Sequence, residues 1–129
     1  MERLIRFALE EDLGTGDCTS ESSLPAGLLQ EGFIMAKEDG VVAGLEVAEF
    51  VFGVVDASLT CELIAADGDV VTAGQRVFRV AGPAKSILIG ERLALNFIQR
   101  MSGIASRTAD IMASFAGTKC AVLDTRKTT

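Results

Sequence analysis

The chain has no histidine, no tryptophan and no tyrosine among its 129 residues. Without histidine it holds no Ser-His-Asp triad, no Cys-His pair and no imidazole metal ligand. Phenylalanine is its only aromatic type, which leaves little surface for stacking single-stranded bases. A net charge of −6 also opposes non-specific attachment to nucleic acid. No apolar run approaches the ~18 residues that a membrane span needs. The opening residues, Met1-Glu2-Arg3-Leu4-Ile5-Arg6, lack the apolar core and cleavage site of a signal peptide. Three cysteines, Cys18, Cys61 and Cys120, are odd in number, widely spaced and free of Cys-x-x-Cys pairs. That argues against a disulfide framework or a zinc site and fits a reducing cytoplasm.

What is present is an ordinary globular balance, 49% apolar and 23% charged, long enough for one domain with a real core. The charge is unevenly spread. Residues 1–84 carry five Lys/Arg against fifteen Asp/Glu, a net of −10, and residues 85–129 carry seven against three, a net of +4. A basic segment in an acidic protein is a place to look for an anionic ligand, although helix surfaces also collect lysine and arginine.

Leu4, Phe7, Ala8 and Glu11 follow helical spacing and predict a short first helix ending near Gly14. The stretch 10–20 has the look of a ligand loop, but Thr19 stands where a G-x-G-x-x-G motif needs glycine, and its carboxylates miss the calcium-loop spacing; it reads as a turn. A strand is predicted over 32–37, a turn at Glu38-Asp39-Gly40, and a helix over 45–55 from the spacing of Val47, Ala48, Val51, Phe52 and Val55. Strands follow over 59–65 and 76–80, with turns at Asp67-Gly68-Asp69 and Ala73-Gly74-Gln75 between them.

This turn-rich stretch, 66–77, resembles biotinyl and lipoyl carrier domains, whose modified lysine sits at a hairpin tip. Lys37 is the lysine in the corresponding β-rich part, without the flanking residues of the modification motif. The competing reading is a compact sandwich whose turns are structural. From 86 to 115 the pattern is helical, with Leu93, Phe97, Met101, Ile104, Thr108, Ile111 and Phe115 along one face. Leu88, Leu95 and Ile98 widen that surface, which predicts burial on more than one side. Ser102-Gly103 interrupts the pattern and predicts a break or two consecutive helices. The polar residues Glu91, Arg92, Asn96, Gln99 and Arg100 read as a solvated or subunit-facing helix surface.

The last eight residues, Val122-Leu123-Asp124-Thr125-Arg126-Lys127-Thr128-Thr129, complete a predicted strand over 119–123 that opens into a polar loop. In α/β architectures ligands gather at that end of a strand. Arg126 is a planar fork for carboxylate or phosphate and Lys127 a mobile point charge. The alternative is a charged terminus trailing into solvent.

Three stretches taken in order carry a resemblance: residues 11–17 (Glu-Asp-Leu-Gly-Thr-Gly-Asp), residues 90–105 (Gly-Glu-Arg-Leu-Ala-Leu-Asn-Phe-Ile-Gln-Arg-Met-Ser-Gly-Ile-Ala) and residues 123–129 (Leu-Asp-Thr-Arg-Lys-Thr-Thr). Together they resemble the quinolinate phosphoribosyltransferases, with a molybdenum-transport-associated paralogue as near neighbour. The resemblance implies an α+β chain: an N-terminal α/β sandwich over 1–113, followed over 114–129 by the first strand of an α/β barrel that is otherwise absent. It implies conversion of quinolinate and phosphoribosyl pyrophosphate, with magnesium, into nicotinate mononucleotide, pyrophosphate and carbon dioxide in NAD biosynthesis. Arg92 would correspond to an arginine donated across a homodimer to the quinolinate site. Thr125, Arg126 and Lys127 would correspond to the substrate-binding Thr-Arg-Lys, with Lys127 catalytic. The family's pattern continues past these residues into most of the barrel, including the magnesium carboxylates. The chain is therefore expected to be a fragment, inactive alone.

Overall fold

The computed structural model describes residues 1–13, 27–123 and 125. The turn expected over 10–20 is helical through Leu13, the end of the first helix; its remainder, the helix end at Gly14, and Arg126 and Lys127 lie outside the described residues. Element order is α1 (Glu2–Leu13), β1 (Leu29–Met35), β2 (Gly40–Val41), α2 (Leu45–Val55), β3 (Thr60–Leu63), β4 (Val70–Val71), β5 (Arg76–Pro83) and α3 (Ala84–Ser114). The architecture is mixed α and β, as the sequence predicts. β1, β5 and β3 form an antiparallel sheet in that order, and β2 pairs antiparallel with β4.

Alternation decides which sheet face is covered. Ile34, Phe78, Val80, Cys61 and Leu63 turn toward the helices, while Glu31, Phe33, Arg79 and Glu62 turn outward. On that outer face Arg79 bridges Glu31 and Glu62 from the two flanking strands, and the Arg76 guanidinium stands 4.0 Å over the Phe33 ring.

The core lies between this sheet, α2 and α3. Phe52 of α2 stacks on Phe78 of β5 with ring centroids 5.8 Å apart, and both are fully buried with Leu45, Val51 and Val77. Helix α2 spans the predicted residues. Its start is held from a distance: the Asp67 carboxylate accepts the Gly44 and Leu45 N–H groups at 2.9 and 2.8 Å. Gly44 itself has φ +95°, a left-handed conformation that favours glycine, and a Cβ there would also meet Met101 Sδ at 2.9 Å.

Helix α1 forms where predicted but buries a different stripe. Ile5 and Leu9 enter the core, whereas Leu4 and Phe7, on the predicted face, are 63% and 65% exposed. Two apolar stripes share this short helix, and packing against α2 and α3 selects one of them.

Helix α3 corrects the expectation of a break, running unbroken for 31 residues through Ser102-Gly103. Gly40 and Gly44 let it pack closely on the β2 segment: a Cβ at Gly40 would meet Ser106 Oγ at 2.6 Å, and one at Gly44 the Ile98 Cα at 3.4 Å. Ser106 Oγ accepts the Val41 N–H at 2.8 Å, and Ser102 Oγ accepts the Ala43 N–H at 2.9 Å. Each hydroxyl donates back to the same residue's carbonyl. Four helical residues advance ~6.0 Å, and two strand residues advance ~6.6 Å. The two serines thus pair with the segment beginning at β2 as a further strand would. Beyond residue 106 the helix overhangs the domain, with Ile111, Met112 and Phe115 exposed rather than buried.

The strand predicted over 119–123 is not formed. Residues 120–123 have no ladder partner, and Val122 and Leu123 are exposed. A strand is defined by neighbours that receive its N–H and C=O groups, and here no described strand runs alongside.

Candidate functional site

Helix α3 is amphipathic across its middle third. Gly90, Ala94 and Ile98 are buried against α2 and the sheet. Arg92, Asn96, Gln99, Arg100, Gly103 and Arg107 are exposed on the opposite side. At 3.6 residues per turn these six fall on one face, so three guanidinium groups are set along one helix surface. Gln99, Arg100, Gly103, Ile104, Arg107 and Thr108 line a shallow depression of about 430 Å³ there. Such a face suits carboxylate or phosphate groups, which guanidinium binds in bidentate fashion. Arg107 was not among the sequence candidates. Its spacing of seven residues from Arg100 is the signal that places it on this face.

Of the predicted site residues, Arg92 is exposed on α3 and Thr125 is exposed outside any element. The unbroken helix puts 22 residues, ~33 Å, between Arg92 and its own last residue, Ser114.

Other candidate chemistries find little support among the described residues. Lys37 is exposed between β1 and β2, which belong to different sheets, so it does not occupy a hairpin tip as a carrier lysine does. It stands at the rim of a cleft of about 350 Å³ floored by Ile34, Val42, Val77, Leu95 and Ile98. Cys61 faces the core, where burial, and then the nearby Glu49 charge, push its thiol up to about 11. It is protonated at neutral pH and a poor nucleophile. No three His, Cys, Asp or Glu side chains among the described residues converge to hold a metal ion. No described helix is long and apolar enough to cross a membrane.

These features define an α/β sandwich module that presents a cationic helix face. Residues 17–102 match the family model described as quinolinate phosphoribosyl transferase, N-terminal domain. The chain belongs to the quinolinate phosphoribosyltransferase family. It is 45% identical over 129 residues to a chloroplastic nicotinate-nucleotide pyrophosphorylase (carboxylating) of Arabidopsis thaliana, covering 99% of this chain and 36% of that protein. It is 36% identical to a probable nicotinate-nucleotide pyrophosphorylase (carboxylating) of Bacillus subtilis, covering 100% of this chain and 44% of that protein. Among solved structures, NadC from Streptococcus pyogenes superposes with a TM-score of 0.93 at 38% identity, covering 99% of this chain and 46% of that one. The chain thus spans about a third to under half the length of the relatives it matches.

Proposed function

We propose that the intact protein containing these residues transfers a phosphoribosyl group from phosphoribosyl pyrophosphate to quinolinate, with loss of carbon dioxide. The observation that carries this is Arg92, displayed on the exposed face of a rigid helix in a chain of this family. Quinolinate bears two carboxylates on a planar ring, and a planar guanidinium holds one of them through two parallel hydrogen bonds. The ring nitrogen then bonds to the anomeric carbon as pyrophosphate departs. Loss of the carboxylate beside the nitrogen leaves an electron pair that takes a proton. Fixed cations stabilise the charge developing in such a reaction without reorganising. Arg126 and Lys127, with the Thr125 hydroxyl, are assigned to the same substrates, Lys127 as the catalytic group.

The exposed placement of Arg92 on α3 supports a site completed across a homodimer, in which one copy supplies Arg92 and the other the Thr-Arg-Lys stretch. Magnesium is assigned to residues outside those described, and no step here is routed through it. The residue chemistry, with thiols kept reduced, suits the cytoplasm.

The test is turnover of quinolinate and phosphoribosyl pyrophosphate by the full-length protein. Arg92→Ala should raise the KM for quinolinate without unfolding the protein. Mixing it with Arg126→Ala should restore activity through hybrid dimers. Failure of the two impaired variants to complement would overturn the shared site. Binding of a phosphoribosyl ligand without acceptance of quinolinate would instead favour the transport-associated paralogue.

A further inference from the structure

Gly90 sits two residues before Arg92, on the opposite side of α3. It is buried, and a Cβ built on it would meet Phe52 Cδ1 at 2.8 Å, Phe52 Cε1 at 2.9 Å and Val55 Cγ2 at 3.6 Å. The Phe52 ring has no room to retreat. It is 1% exposed and stacked on Phe78, itself fully buried in the central strand β5. The α3 backbone therefore rests directly on the Phe52 edge, with no side chain between them.

We infer that Gly90 is a positioning residue for Arg92: by seating α3 on the Phe52 ring it sets how far the Arg92 guanidinium stands out from the domain. Two residues correspond to about 200° of helical rotation, so Arg92 projects along nearly the same line on which Gly90 meets Phe52. A methyl at Gly90 pushes the helix outward along that line and carries Arg92 with it. The ring cannot absorb the push, because interiors are packed too densely to deform locally. Bidentate capture of a carboxylate is sensitive to such displacement, since a misplacement of about 1 Å can cost on the order of 10²-fold.

The inference rests on the reading of Arg92 as a quinolinate ligand. It is tested in the full-length protein by steady-state kinetics on Gly90→Ala, Arg92→Ala, Phe52→Leu and the pair Gly90→Ala/Phe52→Leu. Gly90→Ala should raise the KM for quinolinate about tenfold while kcat changes little, because the shift weakens substrate capture. Phe52→Leu removes the ring carbons that the methyl meets, so the pair should recover most of the wild-type KM. Gly53→Ala, in α2 where a Cβ meets nothing within 4 Å, is the control and should leave KM unchanged. A folded Gly90→Ala with wild-type KM overturns the inference, as does a rise in KM that Phe52→Leu does not reverse. Should Gly90→Ala fail to fold, Phe52→Leu alone decides, since α3 then settles inward and an unchanged KM overturns the inference. If Arg92→Ala itself leaves the quinolinate KM unchanged, the ligand reading fails and this inference with it. If Arg92→Ala raises KM and Gly90→Ala does not, only the positioning role fails.

Discussion

The Oγ of Ser106 accepts the Val41 N–H at 2.8 Å and donates to the Val41 carbonyl at 3.4 Å, so a helix side chain closes the edge of a two-stranded sheet. Ser102 does the same for Ala43 one helical turn earlier. Removing both hydroxyls leaves part-buried backbone groups without partners, at a cost of about 1–3 kcal/mol each. Ser102→Ala/Ser106→Ala should therefore lower the urea midpoint with an unchanged m-value. A midpoint equal to that of the parent would show that water replaces the serines without loss.

Gly103 lies beside Ser102 in the same helix, and a Cβ there meets nothing within 4 Å. Alanine is favoured over glycine in a helix by about 1 kcal/mol. Gly103→Ala should raise Tm, as thermal unfolding by circular dichroism would show. A lowered Tm would mean that the helix bends at this position in solution.

Asp67 caps α2 across a separation of more than twenty residues, through the Gly44 and Leu45 N–H groups. Losing a helix N-terminal acceptor costs about 0.5–2 kcal/mol. Asp67→Ala should destabilise by that amount, measured by chemical unfolding, and Asp67→Asn by less because its amide oxygen still accepts. Equal losses in the two variants would point to the carboxylate's charge at the helix N-terminus instead.

Asp56 joins the end of α2 to the first turn of α3. The Ser86 hydroxyl donates to its carboxylate at 2.6 Å, and the Ser58 hydroxyl and N–H donate to its other oxygen. These bonds, Ser86 foremost, hold its pKa below the ordinary 3.8. A carboxyl group with a depressed folded pKa contributes stability that is fully present above its unfolded value and lost as pH falls through the folded one. The Tm difference between wild type and Asp56→Asn should accordingly be larger at pH 7 than below its folded pKa. Ser86→Ala should reduce the difference at pH 7. A pH-independent difference would remove the carboxylate's charge from the explanation.

Much of the fold is legible in local pattern. Helix α2 lies at the predicted residues because Ala48, Val51 and Phe52 repeat at helical spacing between a glycine and an aspartate. The strands fall between glycine-rich turns as expected, though β1 starts earlier and β5 extends further, since ladder pairing from Leu29 to Pro83 continues past the apolar alternation. The family motif around Arg92 was legible too, and residues 17–102 match the family model. Two readings failed for the same reason. Ser102-Gly103 looked like a helix break, and 119–123 looked like a strand, because both were judged from the segment alone. Ser102 meets its partner 59 residues away at Ala43, and the would-be strand has no described partner.

By itself the sequence determined the elements whose cause is local: apolar period, turn glycines, the acidic-to-basic shift in charge, and the motifs that mark the family. Only the tertiary structure decided which stripe of α1 is buried, that α3 runs unbroken, that Asp67 caps a distant helix and that Phe52 bears on Gly90. Those outcomes depend on which surfaces meet. A backbone donor at Ala43 and a hydroxyl at Ser102 become partners only once the helix lies across the strand, at a spacing that neither segment carries alone.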